Sequence, residues 1–113
     1  MIRRIVEDYE SRLVALEQGR MGPGAAAKAE WERFAGGEER FKVRLRKLAL
    51  EDGTSLDIHL KDAKIGTASV RSGSALFVLQ SSAGASVPAV REGDRVVVAL
   101  GGEALFGGVF VRD

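Results

Sequence analysis

Cysteine is absent from the 113 residues, which excludes disulfides, thiolate metal sites and a cysteine nucleophile. A single histidine, His59, excludes a multi-histidine metal site. No apolar run approaches the roughly 20 residues that a bilayer-spanning helix needs. The opening Met1-Ile2-Arg3-Arg4 runs straight into mixed charge and does not read as a signal peptide. An excess of one charge is lacking too, since 17 Lys+Arg against 16 Asp+Glu leave a net charge of +1. A large nonspecific nucleic-acid footprint is therefore not the default. With 45% hydrophobic and 29% charged residues, the remainder is an ordinary globular mix of one-domain length.

The first third of the chain reads as helical. Ile2, Val6, Tyr9, Leu13 and Leu16 recur at 4-3-4-3 spacing, the a/d stripe of a coiled coil. Arg12 falls at g and Glu17 at the following e, the spacing of an interhelical ion pair. About two and a half heptads cannot hold a helix alone, so the stripe must be buried. It packs either on its own β domain or on copies of itself; its narrowness and its charged flanks favour copies. Gly22-Pro23-Gly24 then breaks the chain. Ala25 to Ala35 reads as a second short helix that places Ala27, Trp31 and Phe34 on one face, with Trp31 the expected plug against the sheet.

After Gly36-Gly37 the period becomes two. Phe41, Val43 and Leu45 alternate with Lys42, Arg44 and Arg46, a strand with one wet face. Asp52-Gly53 is a turn signal before Leu56, Ile58 and Leu60. Ala63 to Ile65 and Thr67 to Val70 read as short strands, and Ala75 to Gln80 as a more apolar one. Val87 to Val90 holds Pro88, which suits an edge. Arg95 to Leu100 is β-branched and central, and Ala104 to Val111 follows the Gly101-Gly102 turn. The expected fold is mainly β with N-terminal helices: a small antiparallel barrel or sandwich at 38–113, preceded by a coiled-coil-like segment at 1–37 with a Gly-Pro-Gly hinge. Its core is expected from Phe41, Val43, Leu45, Leu56, Ile58, Phe77, Leu79, Val96, Val98 and Phe106.

Few patterns carry chemistry. Gly22-x-Gly24-x-x-Ala27 imitates a dinucleotide fingerprint, but no βαβ unit surrounds it. His59 sits on a polar strand face beside Asp57, as a solvent-exposed histidine does, and lacks a nucleophile in a catalytic context. Asp52, Asp57 and Asp62 recur at five-residue spacing without matching a calcium loop. The basic run Arg40, Lys42, Arg44 and Arg46 is sharper. It reads as a solvated edge protected by charge, as a contact for an acidic protein, or as a phosphate contact. No aromatic interleaves with it, which disfavours base stacking.

The β half also resembles a known family. Asp52-Gly53-Thr54, Asp62-Ala63-Lys64, the strand Ala75-Leu76-Phe77-Val78-Leu79, the turn Gly93-Asp94 into Val96-Val97-Val98, and Phe106-Gly107-Gly108-Val109 are similar in order to the β-barrel modules of tail hub and baseplate proteins of tailed bacteriophages. The likeness spans about residues 50–112. It implies a non-enzymatic structural protein of the virion tail, assembled in the host cytoplasm, with no cofactor, metal or membrane. Its partners would be other tail or baseplate proteins and copies of itself, a trimer being favoured through Ile2, Val6, Tyr9, Leu13 and Leu16, with Arg40, Lys42, Arg44 and Arg46 as the contact surface. The alternative is an OB-like or SH3-like module that contacts nucleic acid through the basic strand.

Overall fold

The computed structural model describes residues 4–16 and 24–112. Nine strands are described in chain order: β1 (Ile5–Ala15), β2 (Ala26–Phe34), β3 (Glu39–Arg46), β4 (Ser55–Leu60), β5 (Ala63–Ser69), β6 (Ala75–Gln80), β7 (Arg95–Leu100), β8 (Glu103–Val109) and β9 (Val111–Arg112). One 3-10 turn, Ser81–Ala83, follows β6. The sheet order is β5-β4-β7-β8-β1-β2-β3-β6, with β9 beside β1, and every pairing is antiparallel. The two end strands, β5 and β6, approach each other, so the sheet curls into a nearly closed eight-strand barrel. Among the described residues no helix is long and apolar enough to cross a membrane.

Among the described residues the expected N-terminal helices are not there. The coiled-coil stretch is β1, and the second expected helix is β2. Tyr9, Ser11 and Leu13 point inward while Asp8, Glu10, Arg12 and Val14 point outward, a period of two hidden by the serine at an inward position. In β2, Ala27, Ala29 and Trp31 face inward at the same spacing. Alanine favours helix by propensity, yet Ala29 is wholly buried where β2 lies between β1 and β3, and packing overrides propensity. Of the five stripe residues, Tyr9 and Leu13 belong to the barrel core, Val6 and Leu16 are exposed, and Ile2 lies outside the described residues. Among the described residues no helical seam remains on which a coiled-coil trimer would close. Both strands of this segment pair directly into the sheet, β2 with β3 and β1 with β8.

The expected core residues are buried, except that Leu79 is partly buried at its rim. Phe41 is central: its ring meets Phe77 edge-on at 6.2 Å and Phe110 at 6.1 Å. Such pairs add about 0.5–1.5 kcal/mol each beyond their buried area. Trp31 is buried in β2 with its ring centroid 5.6 Å from that of Tyr9. The two short strands expected at 63–70 are one strand, β5. Val87 to Val90 is irregular, although Val90 is buried.

Two close features fix the turns and the barrel's seam. The β7–β8 hairpin turns on Gly101-Gly102, both at positive φ, as a two-residue turn of this hand requires. The β4–β5 hairpin makes the same kind of turn with Lys61 and Asp62, at φ 51° and 66°. At the seam, a methyl group on Gly66 of β5 would lie 2.3 Å from the Phe77 ring, so glycine is what lets β5 pass over that ring.

Candidate anion-binding surface

Antiparallel register sets charged residues side by side across the outer face of β1, β2 and β3. Arg12 is opposite Lys28, and Lys28 is opposite Arg44. With strands roughly 4.8 Å apart, three cations share one lateral row. Like charges directly opposite one another destabilise a sheet. At about 5 Å each neighbouring pair repels by about 0.8 kcal/mol even in water. Lys28 is relieved: its Nζ lies 3.0 Å from Glu10 Oε2 and 3.6 Å from Glu30 Oε1. Its pKa is raised, first by the hydrogen bond to Glu10; burial opposes the rise as the next largest effect, and the charges of Glu30 and Glu10 add to it. Among the described residues, Arg12, Arg44 and Arg46 have no ion-pair partner.

These side chains line an open cleft of about 640 Å³, together with Glu30 and the small-residue stretch Ala25 to Ala27. A second hollow, about 560 Å³, lies on the other side of β3. It shares Arg44 and Arg46 with the first and adds Arg71, Ser69, Ser74 and Leu76. Arg44 and Arg46 thus stand between two hollows at one end of the barrel.

The basic strand read from the sequence therefore divides. Arg44 and Arg46 line both hollows. Lys42 points outward opposite Glu30 and Val78, and among the described residues it has no ion pair. Arg40, at the far end of β3, is a brace. Its Nε donates to Glu32 Oε1 at 3.1 Å, its Nη2 reaches the same oxygen, and its guanidinium lies 5.4 Å from the Phe34 ring centre. Glu32 is only 6% exposed, so Arg40 neutralises a buried carboxylate.

Arg12, Lys28 and Arg71 were missed by sequence reasoning. The helical reading placed Arg12 on a coiled-coil flank, and Arg71 is brought to Arg44 and Arg46 only by the fold. The available signal was alternation: Lys28-Ala29-Glu30-Trp31-Glu32 switches between charged and apolar at every step.

The other sequence candidates do not converge. His59, partly buried on β4, is opposite Val97 and Lys64. Asp52 accepts a hydrogen bond from the Ser72 N–H at 2.8 Å, Asp57 pairs with Lys64 at 3.2 Å, and Asp62 sits in its hairpin turn. Among the described residues no group of three or more His, Asp or Glu is placed to hold a metal ion. Gly24 leads into a strand rather than a helix, so the expected imitation of a dinucleotide fingerprint has no helix N-terminus behind it; Gly22 lies outside the described residues. Comparison with known proteins adds no identity to this geometry: no protein-family model matches the chain, and no curated protein matches its sequence.

Proposed function

We propose that this chain is a non-enzymatic docking barrel that receives an acidic protein partner in the cleft of Arg12, Lys28, Arg44 and Arg46. The observation that carries this reading is the lateral cation row. Glu10 and Glu30 relieve its centre at Lys28, while Arg12, Arg44 and the adjacent Arg46 have no ion pair among the described residues; each of these guanidiniums can hold an incoming carboxylate in a two-pronged hydrogen bond. Protein is favoured over single-stranded nucleic acid because all the aromatic side chains of the described residues are buried, leaving no platform for base stacking.

A narrower form of the proposal makes the partner a bacteriophage tail or baseplate protein. Its support is the likeness over about residues 50–112, in which Gly93-Asp94 turns into β7 and the buried Phe106 anchors β8.

The test is a titration of the chain with a labelled polyglutamate peptide and with a single-stranded oligonucleotide of equal charge, across a salt series. The expected result is saturable peptide binding that Arg44→Glu weakens at least about tenfold, the scale of one charge-assisted hydrogen-bonded pair. Tighter oligonucleotide binding with a steep salt slope overturns the protein partner in favour of nucleic acid.

A further inference from the structure

The barrel is not closed by hydrogen bonds. Among the described residues no ladder joins β5 to β6, although the two strands lie side by side. At the foot of this seam the only backbone link is the Arg71–Ser74 bridge, with N–H···O distances of 2.7 and 2.9 Å. Above it, each strand has one edge without a hydrogen-bonded neighbour. Along the free edge of β6 only the Gln80 carbonyl is otherwise engaged, by the Ala85 N–H at 3.2 Å.

Free edges in soluble proteins are ordinarily protected by charge, proline or a bulge. β5 carries Lys64. In contrast, β6 reads Ala75-Leu76-Phe77-Val78-Leu79-Gln80 and is the one described strand without a charged residue. It has no proline, and its ladder with β3 has no register shift. Leu76 and Val78 are exposed on its outer face. The hollow at the start of this edge is lined by Arg44, Arg46 and Arg71, none of which has an ion pair among the described residues. An apolar, hydrogen-bonding edge that begins at three unpaired guanidiniums matches an extended chain with carboxylates. Main-chain pairing supplies affinity in such a mode, and side chains supply specificity.

We propose that the seam is a strand-addition site: an extended acidic peptide pairs main chain to main chain with the free edge of β6 and sets carboxylates against Arg44, Arg46 and Arg71. This rests on the docking reading for the partner's charge and adds how the partner is held. Admission of a strand moves β5 away from β6 by about one strand spacing, ~5 Å. The segment between them turns through Ser72 and Gly73, at φ 50° and 75°. The Arg71–Ser74 bridge and the packing of Phe77 over Gly66 resist the movement.

The experiment uses a ten-residue peptide of alternating valine and glutamate. It is compared with the same peptide N-methylated at alternate residues, in each of the two phases. Methylation keeps the charge but removes the N–H groups of one strand edge. The expected result is that at least one methylated phase binds about tenfold more weakly. Saturating unmodified peptide should also slow amide exchange in β6 by about tenfold or more. If both methylated phases bind as well as the parent, strand addition is overturned while the docking cleft stands. The same holds if polyglutamate binds and the alternating peptide does not. If neither peptide binds, both readings fall.

Discussion

Arg40 and Arg44 lie on the same face of the same strand, yet their removal should have opposite consequences. Arg40→Ala strips the partner from Glu32, a carboxylate that is 6% exposed. Breaking a fully buried ion pair from one side costs about 3–5 kcal/mol. The Arg40 side chain is 30% exposed, so water screens part of that, and about 2–3 kcal/mol is the expected loss. For a domain of this size that lowers Tm by roughly 8–12 °C. Arg44→Ala removes a guanidinium that has no ion pair among the described residues and relieves the row with Lys28, so stability should stay within about 0.5 kcal/mol of the parent. Urea unfolding followed by Trp31 fluorescence measures both, with m unchanged if the folded state is intact. Polyglutamate binding should show the reverse order, lost in Arg44→Ala and retained in Arg40→Ala. Adding Glu32→Gln to Arg40→Ala should recover part of the loss, because the buried charge is then gone. Equal stability of the two single variants would falsify the division of the strand into a brace and a binding end.

Replacing Lys61-Asp62 by Asn-Gly should stabilise the chain by about 1–2 kcal/mol in denaturant titration, since both positions hold positive φ, less a few tenths for the Lys61–Asp94 contact at 3.3 Å. Gly66→Ala should destabilise by about 1–3 kcal/mol, because the new methyl meets the Phe77 ring, and Gly66→Ala with Phe77→Leu should be less destabilised than the sum of the two changes. Alkaline pH should weaken the fold. The Tyr9 hydroxyl donates to Glu7 Oε2 at 3.0 Å, which raises its pKa above 10.0, and Lys28 is raised above 10.5 mainly by Glu10. For both groups the folded pKa exceeds the unfolded one, so their contribution is fully present below about pH 10 and is lost as pH rises through the folded values. In Tyr9→Phe the fall in unfolding free energy above pH 10 should be shallower.

Strands β3, β4, β6 and β7 were legible because their apolar residues alternate or run together between turn residues. Phe41-Lys42-Val43-Arg44-Leu45 can be read in only one way. β1 and β2 were not legible, for separate reasons. In β1 a buried serine occupies an inward position, while a register shift between Ile5 and Glu7 leaves Val6 exposed, so the hydrophobic residues alone fall on helical spacing. In β2 the inward side chains are alanines, chosen by close strand packing but favoured by helix. Two of the five basic residues followed from the basic run, since Arg44 and Arg46 could be named from it. Arg12, Lys28 and Arg71 could not, because a lateral row is a property of register, and register is set by partners distant in the chain.

The strand order has a consequence for synthesis. β1 sits between β2, which leaves the ribosome soon after it, and the pair β8 and β9, which leaves after every other described strand. One edge of β1 therefore stays unpaired until β8 and β9 emerge. Closure of the cylinder is a late, long-range event, of the kind that folds slowly and leaves a nascent chain dependent on protection from its neighbours.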